Sequence, residues 1–401
     1  MARATVTDET LVAPSPGLLQ RLGGQGIRRI VIQAVAVALA LAFILYIGSN
    51  VALNLQRLGV RTGFGFLERP AGFEIAQSLL PYDEQSTYFA AFLVALTNTI
   101  AVTLVCIFLA TALGFVVGLA RLSSNRLMAA AASAYVELFR NIPLLLHLLF
   151  WYFALLQPLP GPKNSLDLFG LVFLNSRGLF LPALTFEGPT GLPLATLALG
   201  AAVSFAIARL TKRRRVMTGR RPIYSWLAPL PLLLLPAAAL LACGTQIGVS
   251  VPHLQGFNFR GGLAIIPEFV ALSGALSLFE AAFIAEIVRG GISAIPRGQV
   301  EAGQALGLSR LRITVEIVVP LALRVIVPPL GAQYVQILKS TSLAAAIAYP
   351  DLMLVFAGTT LNQTGQPLEV MAITLATYLG LGFALSCATG LVNRRLLLVT
   401  R

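Results

Sequence analysis

Charge is what this sequence has least of. Asp, Glu, Lys and Arg make up 11% of its 401 residues, and 57% are hydrophobic. A soluble domain carries about 25% charged residues, so too few polar side chains are present to cover a surface facing water. The short alternating segments of a membrane barrel are missing as well. What remains is continuous apolar runs of about 20 residues, the length that crosses a bilayer core of about 30 Å as a helix. The fold class is therefore an all-α polytopic membrane protein. Cysteines are few, and Cys106, Cys243 and Cys387 lie inside apolar runs without disulfide or metal spacing. The two histidines, His147 and His253, stand far apart, so a metal site is not expected. No G-x-x-x-x-G-K-[ST] stretch occurs, which leaves no P-loop to cradle nucleotide phosphates.

The apolar runs predict about eight transmembrane helices, near 30–50, 88–120, 130–157, 190–210, 223–243, 266–290, 325–348 and 369–393. Loops rich in Lys and Arg face the cytoplasm. With the N-terminus inside, 21 of the 29 basic residues fall in cytoplasmic segments, among them the block "RLTKRRRVMTGRR" from Arg209 to Arg221. Arg57, Arg61, Arg69, Lys163, Arg177 and Arg260 are left outside. The net charge of +13 thus lies in short loops beside anionic head groups, where basic residues are attracted to lipid. Membrane lipid is an expected contact and nucleic acid is not.

The first apolar run begins near Ile30 and is longer than the core of a signal peptide. Residues 1–29 read as a cytoplasmic leader, 30–50 as an extra N-terminal helix and 51–87 as an extracytoplasmic segment. Residues 88–157 form the first part of the core, and 158–262 an inserted segment with two transmembrane helices. The second part is 263–395, and 396–401 a tail that, like the N-terminus, is cytoplasmic. The extracytoplasmic stretches read as packed caps and loops.

One polar stretch interrupts the apolar pattern: "GQVEAGQALGLSRLRITVEIVVP", Gly298 to Pro320. Its first nine residues favour helix. Gly307 fits a helix C-terminus that needs a left-handed residue, and Ser309 is placed to cap a second short helix running into Pro320. Two short helices meeting at a glycine make a rigid knob without catalytic groups, suited to being gripped by another protein.

Glu301-Ala302, Gly307, Ile317 and Pro320 stand at the spacing of the EAA loop, and the chain here resembles the type I ABC importer permeases. Gly303 replaces that family's second alanine. "AYVELFRNIPLLLHLLFWY", "EAAFIAEIVRGGISAIPRGQ" and "LKSTSLAAAI" resemble the polar amino-acid uptake subfamily, with Ser340 where Asp is common. The resemblance covers about 88–157 and 263–395, and the added segments resemble the general L-amino-acid branch. It implies a permease subunit in a bacterial cytoplasmic (inner) membrane, with a coupling helix seated on a pair of ATP-binding subunits. It also implies a sister permease that is a different chain and a periplasmic amino-acid-binding protein. ATP and Mg then belong to the partner ATPase, and this chain holds no cofactor and is not an enzyme.

Charges at bilayer depth are costly and face a cavity or a partner. Five remain in the predicted spans: Glu137, Arg140, Glu280, Glu286 and Lys339. Glu137 and Arg140 are three residues apart, as are Glu286 and Arg289, so each pair shares a helical face. Paired charges that lock helices are the structural reading; groups lining a translocation path or subunit seam are the functional one. Lys339, with Thr341 and Ser342 after it, is the strongest single candidate for the latter. An amino-acid substrate carries both signs of charge, which suits such a path.

Two other functions compete. An ion-coupled secondary amino-acid transporter accommodates the buried charges but predicts internal repeats with matched broken helices, and none is read here. An intramembrane enzyme needs clustered nucleophiles, bases or metal ligands, and two lone histidines do not supply them.

Overall fold

The structure, a computed structural model, describes residues 24–57, 62–187, 191–218, 226–244 and 246–397. Two compact units separate. In the smaller, α1 (Gly24–Arg57) belongs with Gly365–Glu369, and the Gly63 amide donates to Glu369 Oε1 at 2.6 Å. The larger holds the packed core described next.

Ahead of its first long helix, Ser86 donates to Asp83 at 2.7 Å and holds that carboxyl below its ordinary range. Thr87 then accepts from the Ala90 amide at 3.2 Å and starts α2 (Tyr88–Arg121). At 1.5 Å per residue, α2 is roughly 50 Å long and spans a bilayer with turns to spare. Asn125 caps α3 (Arg126–Asn141) by accepting from the Leu127 amide at 2.9 Å. Ile142, forced to extended backbone by the proline after it, ends α3. The chain resumes as α4 (Leu144–Leu149) and a π-helical turn, Phe150–Leu156, bent by 102° from α3.

The inserted segment follows with β1 (Leu166–Leu168), β2 (Val172–Asn175), β3 (Gly178–Leu181) and β4 (Ala183–Glu187). Next come α5 (Gly191–Thr218) and α6 (Leu230–Ala242), then β5 (Gln246–Ser250), β6 (His253–Gln255), β7 (Asn258–Arg260) and β8 (Leu263–Ile265). One antiparallel sheet runs β1-β2-β3-β8, with Phe180 opposite Ala264, and β4-β5 and β6-β7 pair separately. These strands lie where caps and loops are expected from sequence.

Pro267 opens α7 (Pro267–Ser293), two residues after β8. Proline is at home in a first helical turn, where its missing N–H costs nothing. After α7 come α8 (Arg297–Ala305) and α9 (Arg310–Arg312), which continues through a π-helical segment, Ile313–Val318, into α10 (Val319–Ser340). A 3₁₀ stretch, Thr341–Ile347, ends at the left-handed Ala348. A second π-helical segment, Met353–Thr360, leads to α11 (Leu361–Thr364) and α12 (Pro367–Leu397).

The core is the seam between α2 and α7. Val102, Cys106 and Ala110 pack with Leu272, Leu276, Ile284 and Val288, and Ile326, Leu330 and Ile337 of α10 close the cluster. Two glycines set the distance. A Cβ on Gly114 would lie 2.6 Å from Ile284 Cβ, and one on Gly118 would lie 2.8 Å from Val288 Cβ. Lipid tails are as apolar as leucine, so membrane helices associate by such close backbone approach.

Three expectations change. Among the described residues six helices are long and apolar enough to span, or seven if the bent α3–α4 pair is one span, rather than eight. The region expected at 223–243 is the 13-residue α6, about 20 Å long, too short for a bilayer core. Second, the helix expected at 325–348 begins at Arg310 and runs on through the π-helical turns Ile313–Val318, so Pro320 lies within a continuous helix instead of ending a short one. Third, part of the basic block from Arg209 lies on α5, which runs to Thr218; residues 219–225 lie outside the described ones.

Candidate functional site

At the α8 end of α7, three residues from Ala294 to Pro296 connect the span to the knob. The Leu306 amide donates to the Ala302 carbonyl, that of Gly307 to Gln304 at 2.9 Å, and that of Leu308 to Gly303 at 3.1 Å. This closure needs a left-handed residue, and Gly307 supplies it at φ +72° without a steric penalty. Ser309 Oγ accepts from the Arg312 amide and restarts the helix. Gly303 is buried, and a Cβ there would meet Ile317 at 3.0 Å and Ile313 at 3.1 Å. Ile317 is therefore the strut on which α8 rests. Glu301, Ala302 and Leu306 are left exposed on the knob, and Pro320 sits half-buried where α10 begins.

The membrane charges divide into three arrangements. Glu286 pairs with Arg289, whose Nε lies 3.2 Å from Oε1, and with Arg121 from the end of α2. Arg121 also donates to Ser133 of α3 at 3.3 Å. Glu137 and Arg140, expected to pair, make no ion pair with each other among the described residues. Arg140 instead lies over the Phe283 ring, 5.1 Å from its centroid, and Glu137 and Arg140 are both exposed. With Arg121, Phe283 and Glu286 they line a cavity of about 400 Å³ between α2, α3 and α7.

Glu280 is different. It is buried within the seam, where Gln333 of α10 donates to Oε2 and Oε1 has no partner among the described residues. It thus ties α7 to α10 and does not share a surface with Lys339. That lysine is exposed on α10, on one stripe with Val325, Pro329, Ala332, Gln336 and Leu343. Thr341 is buried and donates to the Leu338 carbonyl at 2.8 Å; Ser342 donates to that of Lys339 at 2.7 Å.

One polar cluster has no counterpart among the sequence candidates. Asn98 of α2 donates to the Gln77 carbonyl at 2.7 Å and to that of Pro350 at 3.0 Å. Tyr349 donates to the Asn98 carbonyl, and Asp351 accepts from the Leu354 amide at 2.8 Å and from Tyr378 at 3.3 Å. Its signal is an asparagine inside an apolar run, "ALTNTIAVTL".

Long apolar spans define a polytopic membrane protein, and its family makes it a transport subunit. The chain belongs to the family of binding-protein-dependent transport system inner membrane components, whose sequence pattern matches residues 110–398. It is 43% identical over 376 residues to YhdX of Escherichia coli, provisionally named an amino-acid ABC transporter permease protein, covering 94% of this chain and 95% of that one. It is 42% identical over 376 residues to AapQ of Rhizobium johnstonii, a general L-amino acid transport system permease protein, covering 93% of each. Over 405 residues it is 39% identical to BztB of Rhodobacter capsulatus, a glutamate/glutamine/aspartate/asparagine transport system permease protein, covering 93% of this chain and 95% of that one.

Proposed function

We infer that this chain is the permease subunit of an ATP-driven importer that carries L-amino acids across a bacterial cytoplasmic membrane. The observation that carries the reading is the family match joined to the knob, an exposed, glycine-closed helix at the end of a buried span. A partner ATPase pair, holding ATP and Mg, grips the surface around Glu301 and Ala302, while Gly307, Ile317 and Pro320 keep that surface in place. Closure of the ATPases moves α8, and α7 follows through the three-residue connection. A binding protein delivers substrate at the opposite end, where the sheet lies. The N- and C-termini are cytoplasmic, as the distribution of Lys and Arg favours.

The names of the relatives agree on amino acids and differ on range, which supports the class without choosing a member. They give no support to an ion-coupled transporter. The α10 stripe is the surface on which a sister permease would pack, and the choice of a chain of different sequence follows from the resemblance alone. Lys exposed to lipid at bilayer depth costs about 2.5–3.5 kcal/mol on insertion scales, so a second chain or the path itself covers Lys339, with Ser342 and the buried Thr341 shaping the backbone beside it. Purification from the native membrane tests the reading. An ATPase, a second permease and nucleotide-dependent uptake of L-amino acids should accompany this chain, and Glu301→Arg should detach the ATPase. Retention of full uptake without an ATPase in the complex would sink it.

A further inference from the structure

The cavity between α2, α3 and α7 carries two charges, Glu137 and Arg140, that make no ion pair among the described residues. We propose that Glu137 and Arg140 form a station for the α-ammonium and α-carboxylate of an L-amino acid on the cytoplasmic half of the path. The proposal rests on the importer reading and adds to it the groups that hold the cargo.

Space comes first. A cavity of about 400 Å³ admits a free amino acid together with some water. The charge balance comes next. Glu286 is neutralised within the protein by Arg121 and Arg289, and Arg121 is held in addition by Ser133. Glu137 and Arg140 sit one helical turn apart on α3, a spacing that permits a pair, and yet they remain unpaired with each other and exposed. Two arginines and two glutamates line the site, and with Arg121 paired to Glu286, Arg140 is the cation left for an incoming carboxylate.

Orientation is built in on one side. The Arg140 guanidinium lies over the Phe283 ring, 5.1 Å from its centroid, a contact that leaves its N–H donors for a carboxylate. Glu137 is then placed for the ammonium. Together they read only the head group that all α-amino acids share, so the station is blind to the side chain. Glu286, in the same wall, belongs to the helix that passes into α8 through Ala294–Pro296. A displacement of α8 by the ATPase therefore reaches this cavity directly.

The test uses the complete complex, with its ATPase and binding protein, in proteoliposomes, and measures uptake of radiolabelled L-alanine, L-glutamine, L-glutamate and L-arginine. Glu137→Gln and Arg140→Gln are each expected to lower uptake of every transported amino acid by a similar factor, about tenfold or more, the scale of a lost charged hydrogen bond. ATP hydrolysis stimulated by the binding protein should stay within about twofold, because neither residue belongs to the knob. Arg140→Lys, which keeps charge and loses the fork, should fall between, and it serves if Arg140→Gln does not assemble. Uptake unchanged in the glutamine variants overturns the station and leaves the importer standing. So does a loss confined to one substrate, or a fall in ATP hydrolysis that tracks the fall in uptake. Absence of uptake by the unsubstituted complex overturns the importer reading and the station together.

Discussion

The two ends of α7 are built by different rules. At the α8 end the knob holds itself by local contacts: α8, its glycine cap and the isoleucines that support it fall within residues 297–317. At the other end the sheet joins β8 to β3, strands more than 80 residues apart in the chain, with α5 and α6 between them. The knob has one strained requirement, a left-handed residue, and fills it with Gly307. The sheet end has a comparable requirement at the β1–β2 turn, and fills it with Phe169 at φ +60° beside Gly170 at +69°. That phenylalanine is 94% exposed. The knob is tuned for shape, whereas the hairpin retains strain at its tip.

Substitutions can break or sharpen this contrast. The largest effect is expected at Gly303→Leu, which drives a branched side chain into Ile313 and Ile317 and lifts α8 from its strut. Uptake and retention of the ATPase on purification should both fall by more than about tenfold, given that overpacking costs about 1–3 kcal/mol or more. Gly303→Ala should be nearly silent, since the contacts at 3.0 and 3.1 Å are made by isoleucine side-chain atoms that can yield by a few tenths of an ångström.

Next is Gly114→Val in the seam, where the clash is with the Cβ of Ile284. A loss of about 1–3 kcal/mol, seen as a lower unfolding temperature in detergent, is expected. Gln333→Leu comes third. It leaves both oxygens of Glu280 without a donor, at a cost of about 1–3 kcal/mol. Its readout is the same melt, with ATPase retention unchanged. The smallest effect has the opposite sign. Phe169→Gly relieves left-handed strain of about 1–2 kcal/mol, so the hairpin should resist proteolysis better. If it becomes more sensitive instead, the tip is not strained and the contrast fails.

The sequence is readable where interactions are local. Gly307 and Ser309 sit where a helix stop and start are needed, and the apolar runs place α2, α7 and α12 closely. Pro320 is harder to place: proline commonly ends a helix, and here the widened turns just before it let the helix run on. The strands of the insert are three to five residues long, too short for an alternation to build up, and two of their pairings, β3–β8 and β4–β5, lie across intervening helices. The charges illustrate the same limit. Spacing joins Glu286 to Arg289 but equally suggests Glu137 with Arg140, because it carries no information about Phe283 or Arg121 on neighbouring helices.

The glycine contacts of Gly114 and Gly118 have a mechanical consequence. A seam this tight has no slack for sliding, so α2 and α7 travel as a single stiff blade when the transporter changes state. Bending must fall on the joints around it: the elbow at Pro143 and the widened helical turns at Ile313–Val318 and Met353–Thr360.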